Sequence, residues 1–175
     1  RSPCAAITLR PMAWRGSTTV WDRIFASLAY LLPLVDVVGL LLRVGIQNTI
    51  FGEFPALRVG LVPLLPLVQI YFGIPFVGLI IFFVLFLLVV RNERVSHFVR
   101  FNTMQAILIT IALFLCSILV QILAPIPGTT FAIATIANTI FLGVFIAAAY
   151  AVIQSLLGRY AEIPAISDAV YMQVR

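Results

Sequence analysis

The stretch RNERVSHFVRFNTMQ, Arg91 to Gln105, carries three of the eleven arginines and the only histidine of a 175-residue chain. On one side of it lies a 32-residue run without a charge, Val59 to Val90, and on the other a 58-residue run, Phe101 to Gly158. A charged island between such runs reads as a short loop on a membrane face. A spanning helix needs about 20 apolar residues, and a chain this small has no interior in which to bury so many. Composition agrees: 63% of residues are hydrophobic, 10% are charged and the mean hydropathy is +1.16, where a soluble domain is roughly a quarter charged. The class is an all-α integral membrane protein with one domain.

The net charge of +5 comes from eleven Arg and no Lys against six acids. The arginines stand at the edges of apolar runs instead of clustering on a polar face, which favours a membrane surface and its lipids over nucleic acid. Cys4, in the tail, and Cys116, deep in an apolar run, make neither a disulfide framework nor a metal site.

Upstream of the loop, the prolines and glycine of the charge-free run (Pro63, Pro66, Gly73, Pro75) concentrate in its first half. The clean part, residues 74–90, is therefore read as the second span, and residues 59–72 as an interfacial or re-entrant segment between the first and second spans. Before it, Ile46, Ile50, Phe51, Phe54 and Leu57 recur at helical spacing, which predicts an amphipathic piece lying in the interface. The first span is read as residues 24–42, with Pro33 near its centre and Asp36 three residues on. A carboxylate at that depth costs about 2.5 to 3.5 kcal/mol on the insertion scale, so Asp36 faces protein or water. It either bonds another helix or borders an aqueous path. Residues 1–20, with Arg1, Arg10 and Arg15 and no acid, read as a basic tail. They are expected to be the remnant of an organelle transit peptide in a processed precursor, or else a juxtamembrane arm drawn to anionic lipid.

Downstream, Asn102 and Gln105 have the spacing of a capping box at the start of a third span, residues 103–123. Residues 124–128, APIPG, make a turn, and a fourth span runs over residues 130–157, followed by a short tail at 159–175. Thr135, Thr139, Gly143, Ala147, Ala151 and Ser155 recur every four residues and predict a ridge for close helix approach. With four crossings, both termini and the loop share one side and hold nine arginines, leaving Arg43 and Arg58 on the other.

No catalytic constellation is visible, so the chain is not read as an enzyme, and neither cofactor nor metal is expected. His97 has only Glu93 near it in sequence, which reads as an ion pair or a lipid contact. The remaining polar candidates inside the bilayer are Asp36, Gln69, Gln121, Asn138 and Gln154, for helix packing or for a hydrated path. Within the loop the residues of interest are Arg91, Arg94, His97, Arg100, Asn102 and Gln105.

Two segments carry a family likeness: WRGSTTVWDRIFASLAYLLPLVD (Trp14 to Asp36) and IPFVGLIIFFVLFLLVVRNERVSHFVRFNTMQAILI (Ile74 to Ile109). They resemble the Tic-twenty family of plastids and cyanobacteria, small four-span subunits of the protein translocon at the inner chloroplast envelope. The likeness covers roughly Trp14 to Leu157, with RNERVSHFVRFNTMQA its most specific part. It implies a multi-pass protein of the inner envelope with both ends in the stroma, working with other inner-envelope translocon subunits, the outer-envelope translocon and translocating preproteins. It brings no catalytic residues. Three functions are weighed on this basis: a subunit contributing to the preprotein path, a scaffold that anchors translocon partners without lining the path, and a small-solute transporter. The last lacks internal repeats and paired discontinuous helices.

Overall fold

A computed structural model describes residues 18–174. Most of the basic tail, including Cys4 and Trp14, lies outside them. Among the described residues the structure is all helical, and four helices are long and apolar enough to cross a membrane: Val20–Val44, Pro55–Gly73, His97–Leu123 and Thr130–Leu156.

The first of these is two helices in tandem, α1 (Val20–Leu28) and α2 (Leu31–Val44). It opens with a capping box the sequence reading passed over: Thr19 Oγ1 accepts from the Asp22 amide at 3.2 Å, and the Thr19 amide donates to Asp22 Oδ2 at 3.0 Å. The break falls at Ala29–Tyr30, one turn before Pro33. A proline lacks the amide for the carbonyl four residues back and its ring crowds that carbonyl, here that of Ala29. The bend therefore sits one turn before Pro33, and it is what turns Tyr30 into the core.

Residues 45–54 form short helical turns packed on the bundle. A 3₁₀ turn (Ile46–Asn48) leads into α3 (Ile50–Glu53), which tucks against the helix Thr130–Leu156, with the Phe51 ring edge-on to Phe141 at 5.0 Å and the Ile50 amide donating to Asn138 Oδ1 at 3.0 Å. Phe54 and Leu57, on the far side of the break at Pro55, are exposed.

The second long helix begins earlier than the span assigned from sequence. A 3₁₀ helix (Pro55–Leu64) runs directly into α4 (Leu65–Gly73). Ten residues is long for 3₁₀ geometry. Pro63 and Pro66 explain the tight winding and where it relaxes, since each removes an amide an α-ladder would need, and Pro66 falls in the first turn of α4 where that loss costs nothing. A turn at 74–76 follows, with Phe76 in the left-handed region at φ 63°. Residues 77–90 are then helical, α5 (Val77–Val84) continuing as a π-helical turn (Leu85–Val90). At 14 residues this is shorter than the 74–90 span expected.

The loop proper is only Arg91 to Ser96. Here the sequence reading needs correction: α6 (His97–Leu123) starts six residues before the expected 103 and is capped by Ser96, whose Oγ accepts from the Val99 amide at 3.4 Å. Asn102 and Gln105 are thus interior positions of a helix rather than its cap, and both are fully buried. α7 (Thr130–Leu156) and a short α8 (Ser167–Gln173) complete the chain.

α2 packs on both α6 and α7 and forms the centre of the bundle, while the π-helical turn packs on α6. One end of the bundle is tied together. Ser96 Oγ donates to Asp22 Oδ1 at 2.9 Å, Arg100 Nε donates to the Val90 carbonyl at 2.8 Å, and Gly158 packs against Thr18 and Arg23. This is the loop end; Val44 and the 124–129 turn mark the other.

Candidate functional site

Polar groups inside the bundle gather in two places. The first is a buried node. Asn102 Oδ1 accepts from the Tyr30 hydroxyl and from Ser155 Oγ, both at 3.0 Å, and its Nδ2 donates to the Phe98 carbonyl at 2.9 Å. Gln105 Nε2 donates to the Tyr30 hydroxyl at 2.9 Å and to the Ala161 carbonyl at 2.8 Å. One cluster thus joins the α1–α2 bend, α6, α7 and the segment after α7. Tyr160 extends it, its ring edge-on to Phe98 and Phe101, both at 5.2 Å, and its hydroxyl 3.0 Å from His97 Nδ1. His97 therefore meets an aromatic hydroxyl where the sequence suggested Glu93. A node of this kind holds helices in register, since polar groups unsatisfied in hydrocarbon are costly. Its buried part, Tyr30, Asn102, Gln105 and Ser155, has no open face for chemistry.

The second place is a groove between α1–α2 and α5 with its π-helical turn. It has two lobes. The lobe toward the loop end, about 650 Å³, is almost wholly apolar apart from Asp22, Arg94 and Ser96 at its mouth. The other, about 570 Å³, is lined by Asp36 and Arg43 of α2, Tyr71 of α4 and Thr110, Ser117 and Gln121 of α6. Within it the Tyr71 hydroxyl donates to Asp36 Oδ2 at a long 3.4 Å. The Thr110 hydroxyl lies beside the same carboxylate but out of hydrogen-bond geometry, and is buried with no other partner. The Arg43 guanidinium sits 5.0 Å above the Phe72 ring.

The sequence candidates separate accordingly. Asp36 and Gln121 come together on one lobe; Asn138 is spent on the Ile50 amide; Gln69 is exposed on α4 away from both lobes. Of the loop residues, Arg94 reaches a groove mouth, Arg100 staples the π-helical turn, and Arg91 is exposed. The small-residue ridge does not stay on one face. A step of four residues advances about 40° beyond a full turn at 3.6 residues per turn, so the row winds around the helix. Ala151 and Ser155 are buried inside the chain, whereas Thr139 and Gly143 are exposed and nothing lies within 4 Å of a Cβ built on Gly143. Tyr30, Tyr71 and Thr110 were not among the candidates. Tyr30 was detectable in principle, as the polar-tipped residue three positions before Pro33.

Residues 6–170 match the family model described as "Chloroplast import apparatus Tic20-like". The chain belongs to the Tic20 family. It is 46% identical over 168 residues to a Tic20 family protein of Synechocystis, covering 94% of this chain and 99% of that protein. It is also similar to Protein TIC 20-II, chloroplastic, of Arabidopsis thaliana, 31% identical over 97% of this chain and 80% of the relative. Tic20 family protein Ycf60 of Gracilaria tenuistipitata var. liui is 34% identical over 89% of the chain and 76% of its own length. Tic20 proteins are components of import apparatus and not enzymes, and the likeness extends over both the node and the groove.

Proposed function

We propose that this Tic20 chain is a core membrane subunit of the protein translocon at the chloroplast inner envelope and contributes to the preprotein-conducting path. The observation that carries the reading is the groove: it is open along the side of the bundle, and one lobe presents Asp36, Arg43, Ser117 and Gln121 within an otherwise apolar wall. A path for many different side chains calls for a broad, partly polar wall and no selective filter. The plastid setting is carried over from the Arabidopsis relatives, the family occurring in a cyanobacterium as well. Other inner-envelope subunits, the outer-envelope translocon, translocating preproteins and membrane lipids are the partners of this reading.

The crossings we assign are Val20–Val44, Val77–Val90, His97–Leu123 and Thr130–Leu156, with Pro55–Gly73 re-entrant against α2. The bond between Ser96 and Asp22 supports an even number of crossings between them, and the prolines at 63, 66 and 75 are the reason for taking Val77–Val90 as the second crossing. A chain that leaves the loop end at Asp22 and returns there at Ser96 crosses an even number of times, so Pro55–Gly73 and Val77–Val90 are not both full crossings. Both termini then face the stroma, the side holding nine arginines.

A photo-crosslinker at Asp36 or Gln121 is expected to capture an arrested precursor, and one at Leu119, on the exposed face of α6, is not. Equal yields at all three positions would remove the path reading and leave the scaffold. That second reading is favoured by one observation, the open surface at Thr139 and Gly143. A Cβ at Gly143 touches nothing in this chain, so Gly143→Leu is expected to shift unfolding by no more than about 1 kcal/mol, the helix-propensity gain over glycine. Loss of the native-gel complex in that variant would assign the surface to a partner helix, and an unchanged complex would leave it facing lipid.

A further inference from the structure

The two lobes are one groove with a bar across it. Both are lined by Tyr71 and Val77, and they meet nowhere else along their walls. On α6 the lining runs from Val99 and Thr103 in the apolar lobe to Thr110 and Gln121 in the polar one. That stretch of helix is about 33 Å long at 1.5 Å per residue, which matches the roughly 30 Å hydrocarbon core of a bilayer. The groove therefore runs the depth of the membrane, and one lipid acyl chain, reaching only to the midplane, fills one lobe at most.

Tyr71 closes the waist. Its hydroxyl reaches Asp36 on α2, at 3.4 Å, and its ring lies against α5 at Gly78. A Cβ at Gly78 would stand 2.8 Å from the hydroxyl oxygen and 2.9 Å from Cζ, so the ring seats there only because residue 78 has no side chain. The bar thus spans from α2 to α5 and is held weakly at the Asp36 end. The chain behind it turns at Phe76, in a left-handed conformation that a bulky residue adopts at a cost.

We propose that Tyr71 is the constriction of this path, closing the groove against α5 at Gly78 and swinging aside when an extended polypeptide segment enters. An extended strand needs about 9 to 11 residues to cross the core, and the groove offers that length. Released from Tyr71, Asp36 and the unpartnered Thr110 hydroxyl offer acceptors to the basic side chains in which import sequences are rich. The proposal rests on the path reading above.

The test is thiol accessibility in proteoliposomes of defined orientation, with Cys4 and Cys116 replaced by Ser. Single cysteines stand at Leu85 in the apolar lobe, Gln121 in the polar lobe and Leu119 on the outer surface as control. A charged methanethiosulfonate is added from the Gln121 side. Tyr71→Ala is expected to speed labelling at Leu85→Cys about tenfold, and Tyr71→Phe, which keeps the ring, by less than about twofold. Labelling at Gln121→Cys and Leu119→Cys is expected to be unchanged, which also reports that the variants are folded. Equal rates at Leu85→Cys in wild type and Tyr71→Ala, as in a groove filled by lipid alone, would overturn the constriction. So would a matching rise at Leu119→Cys. Because this assay contains no precursor, it fails or succeeds separately from the crosslinking at Asp36 and Gln121.

Discussion

Asn102→Leu is expected to destabilise the bundle by about 2 kcal/mol in mixed-micelle unfolding, the larger part of it from groups left behind. The side chain is fully buried and its three hydrogen bonds reach Tyr30, Ser155 and Phe98. In water-soluble cores an orphaned donor costs about 1 to 3 kcal/mol. Interhelical bonds in membranes average nearer 0.6 kcal/mol and peak at about 1.7. Ser155 can turn back to its own helix carbonyl, whereas the Tyr30 hydroxyl, held between α6 and the bend at residue 29, can find a new acceptor only if the Gln105 amide reorients. Tyr30→Phe and Ser155→Ala should each cost less than Asn102→Leu, because each leaves the other acceptor bond in place. A loss below about 0.5 kcal/mol for Asn102→Leu would mean the node does not hold the helices together.

The second large effect belongs to Gly39→Leu. A Cβ at residue 39 would run into the Phe72 ring, which Arg43 covers on one face at 5.0 Å and Tyr71 meets edge-on at 4.9 Å, so the ring can give way only toward its exposed side, away from α2. Overpacking of this sort costs about 1 to 3 kcal/mol, and here the cheapest relief is for α4 to leave α2. Hydrogen exchange across residues 61–73 should therefore accelerate well beyond that of α6 and α7. Adding Phe72→Ala to Gly39→Leu should restore protection, as expected of two groups competing for one space. Unchanged exchange in the single variant would mean α4 does not depend on this contact.

Much of the architecture could be read from the chain because bilayer energetics act on long averages. Charge-free length identified the membrane class, and the island at Arg91 located the loop. What escaped was local. Polar residues at 102 and 105 look the same whether they cap a helix or sit inside one, and only the partners contributed by Tyr30, Ser155 and Ala161 decide. Proline is ambiguous in the same way. Pro63 and Pro66 suggested a break, yet the chain absorbs both by winding as 3₁₀ and placing Pro66 in a first turn. Among the candidate site residues, Asp36 was singled out by desolvation cost alone, but Tyr71 was invisible: nothing in a sequence says that a tyrosine lies over a glycine seven positions ahead.

The node also bears on biogenesis. Tyr30 enters the membrane with the first helix, while its partners Asn102 and Gln105 are made 72 and 75 residues later and the Ala161 carbonyl later still. A Tic20 chain cut short before residue 161 cannot complete this lock, so insertion of its helices and their final docking are separable. Truncated products would carry the long apolar helices yet lack one of the bonds that hold them in register.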